Sequence, residues 1–145
     1  MSDVKLVAVF TENKTGQVAR FTGILARANI NIRWVAVASS GPFGVIKFLV
    51  NDPALACQVI KSEGCVTKLV DVLAVEVPDR PGGLHSVADL LARNAINLDN
   101  ASGFIANNRA VMVLEIPEVV RARDLLVGAG IRVLQQEELP VFDRD

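Results

Sequence analysis

The chain has no tyrosine, a single histidine, one tryptophan and two cysteines among 145 residues, and each scarcity excludes something. Cys57 and Cys65 cannot build a disulfide scaffold and read as reduced thiols. Any Ser-His or Cys-His nucleophile scheme would hang on His85 alone, which falls in the first turn of an expected helix. No cysteine pair of zinc-site spacing, phosphate-cradling Gly-Lys-Ser/Thr loop, nucleophile elbow or dinucleotide glycine fingerprint occurs. Catalytic residues, a metal and a cofactor are therefore not expected, and the chain does not read as an enzyme. Charge of one sign is also missing: the net charge is −1, whereas neutralising phosphates demands a basic excess. The first 71 residues carry +3 and the rest −4. Phe43-Gly44-Val45-Ile46-Lys47-Phe48 echoes an RNA-binding octapeptide, but Val45 stands where a base-stacking aromatic is needed. Nucleic acid is thus not an expected partner. No apolar run reaches the roughly 18 residues of a spanning helix, and the first residues do not form a signal peptide. A cytoplasmic protein without a membrane partner is expected.

What the sequence has in quantity is apolar residues, 51% of the chain, arranged twice over. A shift of 66 aligns Ala8/Ala74, Val9/Val75, Gly16/Gly82, Leu25/Leu91, Ala26/Ala92 and Arg27/Arg93. It continues through Ile30/Ile96, Asn31/Asn97, Val45/Val111, Ala56/Ala122 and Gly64/Gly130 without slippage. The chain is two copies of one unit, residues 1–71 and 72–138, with a tail at 139–145.

Each copy reads as strand, helix, strand, strand, helix, strand. Lys5-Thr11 is a short apolar strand, and Val18, Phe21, Leu25 and Ala28 then recur at helical spacing. Ile30 to Ala38 returns to strand character, and Ser39-Ser40-Gly41-Pro42 turns the chain into Gly44-Val50. Asn51-Asp52-Pro53 starts a second helix, which Gly64 closes with a left-handed residue. In the second copy the strands fall near Ile96-Phe104 and Arg109-Ile116. Residues 65–77 hold no turn signal, so the last strand of one copy should run straight into the first of the next. The expected fold class is α+β: two ferredoxin-like βαββαβ units in tandem, each an antiparallel sheet with both helices on one face. In the first strand Leu6, Ala8 and Phe10 oppose Val7 and Val9, so both faces are apolar. Helices cover one face, which implies that the sister copy or another chain covers the other. A homodimer is expected. The parity of Ile30, Ile32 and Trp34 predicts that Trp34 faces the helices.

Two loops repeat where chemistry could sit. Glu12-Asn13-Lys14-Thr15-Gly16-Gln17 and Pro78-Asp79-Arg80-Pro81-Gly82-Gly83-Leu84 each join a strand to a helix through glycine. A glycine there lets a ligand approach the backbone, and the free N–H groups of the first turn favour an anion. Asn31, before Ile32, and Asn97, before Leu98, interrupt apolar strand starts at the same place in both copies. Their amides could accept from an ammonium group. Loop and amide together sketch a site for a small zwitterion.

Asp79-x-Pro81-Gly82-x-Leu84 followed by Ile96-Asn97-Leu98 resembles the ACT domain, a regulatory module that binds amino acids in many metabolic enzymes. The first copy departs from that pattern with Asn13 for the usual Asp and Thr15 for Pro, yet Glu12-Asn13-x-x-Gly16, then Arg20 and Asn31-Ile32, is similar to the ACT domain of the acetohydroxyacid synthase regulatory subunit. The resemblance covers nearly the whole chain as a tandem pair. It implies ligand contacts at Asn13, Gly16, Asn31, Gly82 and Asn97, and by extension at the flanking Lys14, Thr15, Gln17, Ile32, Pro81, Gly83, Leu84 and Leu98. It further implies an amino acid as ligand and a metabolic enzyme as partner. The rival readings are a subunit of an acetohydroxyacid-synthase-like enzyme and a ferredoxin-like interaction module without ligand.

Overall fold

The computed structural model describes residues 3–106 and 109–143. The chain divides into two compact units, one spanning Lys5–Val70 and one that begins at Asp71 and also takes in Asp3 and Val4. The first contains β1 (Val4–Glu12), α1 (Gln17–Arg27), β2 (Ile32–Ser40), β3 (Phe43–Val50), α2 (Pro53–Ser62) and the opening of β4 (Val66–Val77). The second contains the rest of β4, α3 (Gly83–Arg93), β5 (Asn100–Ala106), β6 (Arg109–Glu115), α4 (Val119–Gly128) and β7 (Arg132–Leu134). The absence of a turn signal over 65–77 has its counterpart in β4, one strand of 12 residues.

In the first unit the strands lie in the order β2-β3-β1-β4, and in the second β5-β6-β4-β7. Both are the antiparallel βαββαβ arrangement. Val7 pairs with Phe48 and Val9 with Ile46 across β1 and β3. Those four side chains pack against Phe21 and Leu25 of α1 and Ala56 and Ile60 of α2. In the second unit Leu73, Val75 and Leu114 meet Val87 and Leu91 of α3 and Ala122 and Leu126 of α4. Each such large side chain contributes roughly 1.5–3 kcal/mol on burial, so the two helix-covered cores dominate each unit's stability. Asp52 caps α2, its carboxylate accepting from Leu55 N at 3.2 Å, with Pro53 in the first turn.

The repeat extends to backbone conformation. Gly16 and Gly82 have φ of 92° and 87°, Gly64 and Gly130 of 82° and 79°, and Asn29 and Ala95 of 58° and 56°. Every one of these pairs is separated by the same 66 residues.

The structure departs from the sequence reading in three places. A bulge between Ile32 and Trp34 shifts the β2–β3 register so that Trp34 pairs with Leu49. Ile32 still packs against the helix-side core, but Trp34 lies opposite Leu49, on the other face. The expected parity fails because a bulge inserts one residue. Strand β5 begins at Asn100 rather than Ile96. The Asn97 amide donates to the Asp99 carboxylate at 3.0 Å, a local turn that delays pairing until Asp99 N reaches Glu115 O at 2.9 Å. The last strand ends before the tail that begins at residue 139: β7 stops at Leu134 and a 3₁₀ helix follows over Gln136–Asp143. Its start is fixed by Glu138, whose carboxylate accepts from Gln135 N at 2.9 Å and from Arg132 Nη2 at 2.6 Å. The side chains of Val141 and Phe142 in the tail lie outside the described residues.

Candidate functional site

The two glycine loops build equivalent clefts, one in each unit. In the first unit the cleft is lined by Thr11, Asn13, Lys14, Gln17 and Val18 on the loop side and by Val37, Ala38, Ser39, Gly44 and Ile46 from the β2–β3 hairpin. In the second, Val77, Asp79, Arg80, Pro81 and Leu84 face Gly103, Phe104, Ile105, Ala110 and Met112 of the β5–β6 hairpin. Shifting the first set by 66 reproduces nearly all of the second, so the cleft belongs to the fold unit itself. Val18 was read as one of the apolar positions at helical spacing, and Leu84 as a residue flanking the ligand contacts. Each remains more than two-fifths exposed and lines its cleft.

Local backbone geometry explains the loop side. Gly16 and Gly82 occupy the N-cap positions of α1 and α3 in the left-handed region, and no side chain caps either helix. Arg20 N donates to Gly16 O at 2.9 Å and Ser86 N to Gly82 O at 3.1 Å. Gly83 N donates to Arg80 O at 3.0 Å and Arg80 N to Pro78 O at 2.9 Å, which tightens the second loop into a turn. That leaves the N–H groups of Leu84 and His85 at the start of α3 without a backbone acceptor among the described residues. The helix dipole favours an anion there. His85 itself is exposed.

The hairpin wall could not be read from the sequence. Val37 pairs across the strands with Ile46, and Gly103 with Met112. These pairs reach the loops only because the ends of β2 and β3 lie beside the end of β1, Thr11 opposite Gly44. Knowledge of that register is what would have found them.

The asparagines behave differently from the loops. Asn31 is exposed; its N–H donates to Asn51 Oδ1 at 3.0 Å, and Asn51 N donates back to Asn31 O at 3.2 Å. Asn97 bonds Asp99 as described, and Leu98 is half-buried against the core beside it. Both asparagines sit at the opposite end of their sheet from the glycine loop. Asn51 lies seven positions after Gly44 along β3 and its end, about 23 Å at strand rise. Within one unit the structure therefore does not bring loop and amide together. Of the sequence-derived positions, Asn13, Lys14, Gln17, Pro81 and Leu84 line the clefts, while Thr15, Gly16, Gly82 and Gly83 shape the loops behind them.

The electrostatic pairs of each unit lie mostly elsewhere. Glu76 bridges Arg132 at 3.0 Å and Arg109 at 3.4 Å, and Arg132 also holds Glu138. Hydrogen bonding from Arg132, then from Gln135 N, keeps the Glu138 carboxyl below its ordinary pKa, and burial opposes the shift. Among the described residues no helix is long and apolar enough to cross a membrane.

Two ferredoxin-like units in tandem, each with a cleft between its first strand–helix loop and its central hairpin, define a class of paired regulatory modules. The chain matches the family model of the ACT domain pair over residues 2–142, and it belongs to that family. A solved protein from Bacteroides thetaiotaomicron shares 26% identity and superimposes with a TM-score of 0.90, covering 94% of this chain and 95% of that one. The regulatory subunit of aspartate kinase from Thermus thermophilus, in a ligand-free form, has the same fold at 13% identity, with a TM-score of 0.62 over 88% of this chain and 93% of its own. Its counterpart from Thermus flavus gives 15% identity and 0.61, covering 90% and 94%. Among curated proteins no sequence matches the chain.

Proposed function

We propose that the chain is a non-catalytic regulatory protein that binds a free amino acid at the glycine loops and passes the signal to a separate metabolic enzyme. The observation that carries this reading is the recurrence of one cleft at equivalent positions in both units. A cleft kept twice at a glycine-opened helix start suits a carboxylate on the backbone N–H groups and a side chain against the hairpin. Similarity to regulatory subunits of an aspartate kinase supports an enzyme of amino-acid metabolism as the partner. Asn31 and Asn97, at the far end of each sheet, would not reach a ligand in their own unit's cleft, and a homodimer that holds its ligand near the interface would supply them from a second copy. The rest of the site is the loop pair: Asn13 to Gln17 and Pro81 to Leu84, with Ile32 and Leu98 beside the two amides.

Thermal unfolding against each of the twenty amino acids at several millimolar tests the reading. Binding at a hundredfold excess over Kd stabilises by about 2.7 kcal/mol, a shift of several degrees. The expected result is a clear shift with one chemically related group, lost in Gly82→Val. A flat panel would leave the ligand-free interaction module as the better account, and co-purification of a large catalytic chain would favour the obligate enzyme subunit.

A further inference from the structure

The two clefts share a position but not a state. In the first unit the cleft has a volume of only about 60 Å³, room for a few waters. Its own side chains close it. Gln17, nine-tenths buried, donates to Thr11 Oγ1 at 2.6 Å across the floor, and Val37 stands on the hairpin wall. Its polar groups are already engaged as well: the Asn13 amide donates to Gly41 O at 3.1 Å, and Lys14 pairs with Glu12 at 3.4 Å.

In the second unit every one of these features is reversed. The residue at the position of Gln17 is Gly83, where an added Cβ would lie 2.1 Å from Pro78 O, so no side chain can fill the floor. The residue at the position of Val37 is Gly103, and the flexible Met112 thioether occupies the space a Cβ would need there, 2.6 Å from it. The groove beside them measures about 710 Å³, within the range of small-molecule sites, roughly 300–1,000 Å³. At its rim Asp79 and Arg80 replace Asn13 and Lys14. Both are exposed, and neither side chain has a hydrogen-bond or ion-pair partner among the described residues.

We infer that the clefts have diverged: the second unit's groove takes one amino acid with a bulky apolar side chain, and the first unit's cleft is a closed structural copy. The inference rests on the amino-acid reading above and names the ligand class of that site. A carboxylate and a guanidinium on adjacent residues match the ammonium and carboxylate of a zwitterion through charge-assisted hydrogen bonds. Val77, Leu84, Phe104 and Met112 offer apolar surface to the side chain. Met112, unbranched and polarisable, is the adaptable element that adjusts to its shape.

Titration calorimetry of the full chain, with L-leucine, L-methionine and L-phenylalanine as probes against glycine and L-serine, tests this. The expected result is one equivalent per chain, with an apolar probe bound at least about tenfold more tightly than glycine. The double variant Gly103→Val with Met112→Ile installs the Val37/Ile46 pair that already fits between two such strands. It should weaken the best probe by at least about tenfold while the ligand-free melting temperature holds. Asp79→Asn and Arg80→Gln, exposed changes that leave the fold intact, should each weaken it by about tenfold. Two equal equivalents per chain, a preference for glycine or serine, or unchanged affinity in the Asp79 and Arg80 variants would overturn the inference and leave the amino-acid reading standing. Silence from all twenty amino acids overturns both.

Discussion

Ala95 is the residue at which the repeat conflicts with backbone physics. It and Asn29 hold the same left-handed conformation after α3 and α1, at φ of 56° and 58°. Asparagine tolerates that region because its short amide can bond locally, whereas alanine's Cβ crowds the following carbonyl. Replacing Ala95 with glycine relieves this strain but makes the unfolded chain more flexible. The strain is the larger of the two effects, so Ala95→Gly should stabilise by about 0.5–1 kcal/mol. A urea midpoint that rises at unchanged slope would show it, and a fall would mean the backbone adjusts without cost. Gly82 is the converse case. A Cβ there meets nothing within 4 Å, but φ of 87° is unfavourable for any L side chain. The loss of binding expected for Gly82→Val would therefore come from a displaced loop and not from a filled cleft.

Among the elements, the 3₁₀ helix after β7 depends on one carboxylate. Glu138 ties Gln135 N and the Arg132 guanidinium together, and its pKa is lowered in the fold. A carboxyl with a lowered folded pKa stabilises fully above its unfolded value, near 4.3, and loses that contribution as pH falls through the folded value. Because the pair is more than a third exposed on both sides, water screens it and the effect is a few tenths of a kcal/mol. Glu138→Gln should accordingly melt slightly below the parent at pH 7, with the gap closing below about pH 4. A gap that persists at pH 3 would assign the effect to packing. The same elements show how much was legible. The 66-residue shift, the element order, the αL glycines and the β4 run all follow from local signals, since caps and periodicity act over a few residues. The bulge at Trp34, the late start of β5 and the 3₁₀ tail depend on partners far along the chain. So does the site: its loop half was readable from glycine and proline, but its hairpin half required the pairing of Val37 with Ile46 and Gly103 with Met112.

For the whole molecule, Leu6, Ala8 and Leu49 on the second sheet face are already buried within one chain, so the case for a second copy rests on an exposed strand edge. Strand β2 is an edge strand, and its Val35 and Val37 are about half exposed. An apolar edge with unpaired N–H and C=O groups invites another strand, and natural proteins blunt such edges with charge or cover them. Here β2 carries serines at its end and valine, alanine and valine along its length, with no charge after Arg33. A second copy pairing along this edge would satisfy the backbone groups and bury the valines, and would bring the Asn31 end of one sheet toward the loop end of its neighbour. Light scattering after gel filtration at micromolar concentration should then give a mass of about 31 kDa, twice the 15.6 kDa chain. Val35→Lys places a charge on that edge at no cost to the monomer's core and should shift the mass toward the single chain. If the parent protein runs as a monomer, the edge is solvated as it stands. If a dimer persists unchanged in Val35→Lys, the copies meet elsewhere. With the dimer in place, a bound amino acid can shift its equilibrium only by binding the two states unequally. The mass distribution measured with and without the best-bound amino acid therefore also reports whether the ligand signals through assembly.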